Sequence, residues 1–142
     1  MILFCDTSAL VKLYIVEVGS AALQRRVAGA DVDAVAVCRI AWAEAHAALS
    51  RRAREMPKDA ALTEQAKAAL AKDWPRYLVL EVNQALVERA GEYADTFALR
   101  GYDSIQLAAA YEVRRVSELP VLFASFDARL NKAAKLLEMQ CL

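Results

Sequence analysis

Short apolar runs alternating with longer helical stretches predict a three-layer α/β/α fold around a central, mainly parallel sheet of four or five strands. Three observations lead there. Runs such as Ile2-Leu3-Phe4-Cys5 and Ala34 to Cys38 are continuously apolar, as in strands buried on both faces of a parallel sheet. The stretches between them place apolar residues at helical spacing and are nearly free of Gly and Pro, of which the chain has four and three. The 142 residues are 58% hydrophobic and 25% charged, the composition of a packed globule rather than a disordered chain. One domain over residues 1–142 is expected.

The elements follow in order. A first strand over residues 2–5 ends at Asp6, and Thr7 or Ser8 can cap a helix through Leu10, Val11, Leu13 and Tyr14 that stops before Gly19. Ser20 can cap a second short helix ending near Gly29. A strand over 34–38 leads into an alanine-rich helix over 40–54, halted at Met56-Pro57 because proline disfavours helical geometry in the residue before it. A helix over 59–74 ends the same way at Pro75, and the two helices are expected to form a hairpin. A third strand spans 77–80, and Asn83 can cap a helix to about residue 99. Residues 100–102 read as a loop, and Asp103-Ser104-Ile105-Gln106 has the spacing of a capping box that opens a helix to about 116. A fourth strand over 120–124, a helix over 127–137 and a short edge strand over 139–142 complete the chain.

Several function classes are disfavoured. Net charge is zero, which argues against tight nucleic-acid binding through a broad basic face but leaves room for a local cationic path. Cys5, Cys38 and Cys141 are odd in number and lack metal-site spacing, so buried free thiols in a reducing cytoplasm are expected. No apolar stretch is long enough to span a membrane, and Asp6 and Lys12 interrupt the N-terminus, which does not read as a secretory signal. Phosphate-binding glycine loops are absent, and a single histidine gives no Ser-His-Asp order.

Acids are the remaining candidates. In open α/β sheets the functional crevice lies beyond the carboxyl ends of the strands, which selects Asp6 and Asp127. Thr7 and Ser8 beside Asp6 offer hydroxyls that orient a carboxylate or hold ligand waters. Each acid also has a plain structural reading. Asp6 and Asp127 can simply cap helices, Asp103 can belong to its capping box, and Glu44 can face solvent or pair with Arg51 or Arg52. Glu44 is expected mid-helix on a stripe of Ile40, Ala41, Ala47 and Ala48, where small side chains leave room for a ligand. His46, two positions on, points to another face and reads as structural. Lys12, Arg39 and Arg100 are candidate phosphate contacts, whereas the Arg25-Arg26, Arg51-Arg52 and Arg114-Arg115 pairs read first as solvated faces.

Taken together, the segments around the four acids resemble the PIN-domain family, specifically VapC-type toxins of toxin-antitoxin pairs. DTSALVKLY (Asp6 to Tyr14), followed by Glu17, Gly19 and Ser20, looks like the family's opening. Glu44 in RIAWAEAHAAL, Asp103 in RGYDSIQLAAA and Asp127 in LFASFDARLNKAA match its other acidic positions, with Ser125 at its hydroxyl position. Members often carry a glycine after the last helix, where this chain has Leu137-Glu138-Met139.

The resemblance implies a metal-dependent endoribonuclease in which Asp6, Glu44, Asp103 and Asp127 hold Mg2+, with Mn2+ as a substitute, and Thr7, Ser8 and Ser125 support them. Clustered carboxylates repel one another, and a hard cation with oxygen ligands relieves that repulsion. It also implies an RNA substrate, a homodimer and a cognate antitoxin whose C-terminal segment packs in an apolar groove, for which Leu10, Leu13, Tyr14 and Leu23 are candidates. Two alternatives are a non-catalytic PIN-like assembly protein and a Mg2+-dependent phosphatase. The latter normally needs a second Asp two residues after the first, where this chain has Ser8.

Overall fold

The computed structural model describes residues 1–142 and has five strands, all parallel, in the order β3-β2-β1-β4-β5. They are β1 (Ile2–Cys5), β2 (Ala34–Cys38), β3 (Leu78–Leu80), β4 (Val121–Ala124) and β5 (Gln140–Cys141). Seven α-helices connect and cover them: α1 (Thr7–Tyr14), α2 (Ser20–Val27), α3 (Ala41–Glu55), α4 (Ala60–Asp73), α5 (Gln84–Phe97), α6 (Gly101–Val116) and α7 (Ala128–Leu136). The three-layer expectation holds, with five strands and full parallel pairing. No helix is long and apolar enough to cross a membrane.

Alternation along the central strands divides the core. Ile2, Phe4, Ala36, Cys38, Val121 and Phe123 face one way and pack with α5, α6 and α7. Leu3, Cys5, Val37, Leu122 and Ala124 face the other way and pack with α1, α2, α3 and α4. A strand with apolar groups on both faces must be covered on both, which is why its sequence reads as an unbroken apolar run. Cys5 and Cys38 are buried with the core, while Cys141 on the edge strand is only partly covered.

Proline sets the expected breaks. Pro57 and Pro75 each open a short 3-10 turn, at Pro57–Asp59 and Trp74–Arg76, that separates α3 from α4 and α4 from β3. Asn83 caps α5 through a bond from the Leu86 N–H at 2.9 Å. Gly19, not Ser20, is the cap residue of α2, because the Ser20 hydroxyl instead ties the incoming chain by accepting from the Glu17 N–H and donating to the Ile15 carbonyl.

Three local expectations are corrected. Residues 101 and 102 are not loop: α6 starts at Gly101, which puts Asp103 inside its first turn, and neither Asp103 nor Gln106 closes a capping box. Glu44 lies in the first turn of α3 rather than mid-helix. Leu10 and Leu23 are fully buried between α1, α2 and the sheet, so they cannot line a surface groove; Leu13 and Tyr14 are partly buried against the same core. Glu138, at the turn after the last helix where the resemblance implies a glycine, takes the left-handed conformation with φ of 57°.

Candidate active site

The centre of the sheet's carboxyl edge lies where β1 and β4 end side by side. Cys5 pairs with Ala124 in register, and the Asp6 N–H donates to the Ala124 carbonyl at 3.1 Å. The chain then turns into α1 on one strand and toward α7 on the other. This brings Asp6 next to Ser125, although 119 positions separate them in sequence.

Asp6 is only 3% exposed and is held at both oxygens. Its Oδ1 accepts from the Ser8 hydroxyl at 2.7 Å and the Ala9 N–H at 2.9 Å, and its Oδ2 accepts from the Ser125 hydroxyl at 2.6 Å. It is therefore a helix cap and a site candidate at once. Desolvation pushes its carboxyl above the ordinary range; the Ser125, Ser8 and Ala9 bonds pull it down, and the charge of Asp103 pushes it further up.

The two serines fix the opposite loop as well. Ser125 Oγ accepts from the Asp127 N–H at 3.1 Å, and Ser8 Oγ accepts from the Phe126 N–H at 2.9 Å. Asp127 caps α7, its Oδ1 accepting from the Arg129 and Leu130 N–H groups at 2.8 and 3.1 Å. Asn131, one turn into α7, donates to the Ser125 carbonyl at 2.9 Å. Asp103, half-buried at the start of α6, has a carboxyl raised by desolvation and by the Asp127 charge, with Arg100 opposing. The charge of Asp103 thus bears on Asp6, and that of Asp127 on Asp103.

Glu44 stands apart from that trio and reaches it through the neighbour of Asp6. Its Oε1 accepts from the Thr7 hydroxyl at 2.8 Å and from Gln106 Nε2 at 2.7 Å, and Gln106 Nε2 also lies 3.0 Å from Thr7 Oγ1. No arginine pairs with it: Arg51 meets Glu55, and Arg52 meets Glu17 and Asp59. No three acidic, histidine or cysteine side chains stand close enough together to share one ion. His46 is structural as expected, with its Nδ1 2.8 Å from the Trp42 carbonyl and its ring against the Trp42 ring.

Gln106 is the residue sequence reasoning placed wrongly. It is 2% exposed, and its Oε1 has no hydrogen-bond donor. The available signal was its setting: a lone amide within IQLAAA, a run otherwise fit for the core, has to find a polar partner.

A sequence model described as PIN domain matches residues 3–136. The chain belongs to the PIN domain family. Its sequence is 32% identical over 137 residues to Ribonuclease VapC45 of Mycobacterium tuberculosis (strain CDC 1551 / Oshkosh), covering 94% of this chain and 89% of that protein. Ribonuclease VapC49 of the H37Rv strain matches equally. Among solved structures, this PIN domain resembles VapBC-1 from nontypeable Haemophilus influenzae, with a TM-score of 0.64 at 17% identity over 100% of this chain and 97% of that one. It also resembles VapBC2 from Rickettsia felis bound to a DNA fragment from their promoter, with a TM-score of 0.66 at 13% identity over 100% and 98%. At those identities the likeness is one of fold.

Proposed function

We propose that this PIN domain is a metal-dependent endoribonuclease that hydrolyses RNA phosphodiesters, and that it is the toxin of a type II toxin-antitoxin pair. The observation that carries the reading is the placement of Asp6, Asp103 and Asp127 around the sheet's carboxyl edge, where Asp103 acts by charge on Asp6 and Asp127 on Asp103, with Glu44 tied in through Thr7, in a chain 32% identical to ribonucleases. Its place in a pair is supported by the family and by the VapBC names of the solved neighbours. A cognate antitoxin, a homodimer and a cytoplasmic setting belong to the same proposal.

The donor set fits a hard divalent cation, Mg2+ or Mn2+, because every candidate ligand is an oxygen and no ammonium or guanidinium pairs with any of the four acids. The buried Gln106 Oε1 is a further oxygen awaiting a donor such as a ligand water. Asp6, Glu44, Asp103 and Asp127 would hold such a cation on drawing closer around it, and it would supply water activation and neutralise charge on the phosphate. The chain's own residues do the positioning. Ser8, Ser125 and the Ala9 N–H fix the Asp6 carboxylate, Thr7 and Gln106 fix Glu44, and the Arg129 and Leu130 N–H groups fix one oxygen of Asp127.

The test is cleavage of a mixed pool of structured RNAs by purified, partner-free protein with Mg2+, with Mn2+ and with chelator, beside Asp6→Asn. Metal-dependent cutting that falls on the order of a thousandfold in the variant supports the reading. Cutting that persists in chelator, or in Asp6→Asn, overturns it.

A further inference from the structure

One face of α1 grips the bend between β4 and α7 at two points. Ser8 and Lys12 are four residues apart on that helix and so share a face. The Ser8 hydroxyl accepts from the Phe126 N–H at 2.9 Å, and the Lys12 ammonium lies over the Phe126 ring, 4.7 Å from its centre. Phe126 immediately precedes Asp127, which caps α7 and lines one cleft with Asp103. Because the peptide unit between them is planar and stiff, a shift of Phe126 is passed directly to Asp127.

Burial does not fix the Phe126 ring, which is 44% exposed. Its neighbours do. Gly19 stands so close that an added Cβ would sit 2.5 Å from a ring carbon, and its φ of +93° favours glycine on a second count. Lys12 supplies the other hold, since an ammonium is drawn to the negative face of an aromatic ring, and more strongly where water is partly excluded.

Lys12 is itself set in place. Its side chain is only 14% exposed and its ammonium meets Glu17 at 2.9 Å. Glu17 is held in turn by Arg52 at 3.0 Å and, through its own N–H, by the Ser20 hydroxyl at 2.9 Å. Lys12, Glu17 and Gly19, none of them among the four acids, therefore converge on one side chain next to Asp127. The lysine that reads from sequence as a phosphate contact is turned toward a carboxylate and a ring.

Resting on the ribonuclease reading above, we infer that Lys12 is a positioning residue for cleavage: set by Glu17, its ammonium holds the Phe126 ring and thereby the bend that presents Asp127. Ser8 fixes the backbone of that bend and Lys12 fixes its side chain. The bend from α1 to α2 thus reaches the site without contributing a ligand.

The substrate for the test is an RNA cut in the pool assay above, with kcat and KM read separately at graded salt. Lys12→Met keeps the stem and removes the charge, and Glu17 retains Arg52, so the fold is preserved. Lys12→Met and Phe126→Leu should each lower kcat about tenfold with KM little changed. The double variant should lose no more than either single one, because Lys12 acts through the ring. Lys12→Arg, which keeps a cation for both Glu17 and the ring, should restore kcat. In chelator, hydrogen exchange at the Phe126 and Asp127 N–H groups should quicken in Lys12→Met while exchange in β1 stays unchanged. Losses that multiply in the double variant, or a raised KM with a flatter salt dependence in Lys12→Met, overturn the inference by making Lys12 a phosphate contact. Wild-type kcat in Lys12→Met, or exchange that quickens throughout the chain, overturns it too and leaves the nuclease reading standing. If the wild type cuts nothing in the pool with either metal, the nuclease reading falls and the cleavage role of Lys12 falls with it, whatever the exchange shows.

Discussion

Two groups of acids lie on neighbouring parts of this molecule under opposite rules. Between α1 and α3, Glu17 receives Lys12 at 2.9 Å and Arg52 at 3.0 Å, and Arg52 also reaches Asp59 at 3.2 Å. At the carboxyl edge of the sheet, Asp6, Glu44 and Asp127 receive hydroxyls, an amide and backbone N–H groups, and neither they nor Asp103 pairs with a cation. Arginines were available nearby, since Arg100 stands close enough to affect Asp103 without pairing with it. The first group is internally compensated and serves to fix α1, α3 and the 3-10 turn at Pro57–Asp59 together. The second keeps its negative charge uncompensated, which costs stability and leaves neutralisation to a ligand.

The strongest way to break this contrast is Asp103→Asn. Cleavage should fall on the order of a thousandfold, while the metal-free variant should be more stable than the wild type at neutral pH. Desolvation and the charge of Asp127 raise the Asp103 carboxyl above its ordinary 3.8, outweighing Arg100. A raised folded-state value means that the folded chain holds the proton more tightly. That stabilisation is complete below the ordinary value and is lost as pH rises through the raised one. The stability gap between variant and wild type should therefore narrow as pH falls through the raised value and vanish below 3.8, read by thermal melts in chelator. A variant less stable than wild type at neutral pH would place Asp103 with the compensated acids.

Gln106 sharpens the contrast at the next level down. It is the buried donor that holds Glu44 without neutralising it. Gln106→Met keeps the approximate volume and removes the amide. Turnover should drop about 10- to 100-fold, with a matching rise in the metal concentration needed for half-maximal activity. A purely structural glutamine would change the melting temperature and leave the metal dependence where it was.

Why Gln106 escaped the sequence while Asp6 did not is a matter of range. Asp6 follows an apolar run, and the strand-end rule is local, so its place was legible; the cap of α1, expected at Thr7 or Ser8, is Asp6 itself, with Thr7 and Ser8 inside the helix. Asp127 and Asn83 were legible for the same local reason, as were the breaks at Pro57 and Pro75. Gln106 meets Glu44 and Thr7 across 62 and 99 positions, and its spacing from Asp103 mimicked a local capping box. Helix starts were misjudged for a related reason: Gly101 and Tyr102 look like loop residues, yet the helix begins there without a side-chain cap. Burial of Leu10 and Leu23 was hidden too, because helical spacing marks an apolar face without saying whether the sheet or a partner covers it.

Asp59→Asn gives the smallest effect and the mirror image of Asp103→Asn. Asp59 contacts Arg52 from the turn between α3 and α4, its side chain 13% exposed and that of Arg52 28% exposed. Removing its charge should cost about 1 kcal/mol, or about 3 °C in melting temperature, and high salt should shrink that loss. Cleavage should be unchanged, because Arg52 retains Glu17 and no site residue loses a partner. The two variants make the same chemical change at two acids, with opposite signs expected for stability in chelator and a loss of cleavage at only one. If Asp59→Asn also abolished cleavage while the protein stayed folded, the paired acids would be part of the site, and the division between acids that brace the fold and acids that await a ligand would fail.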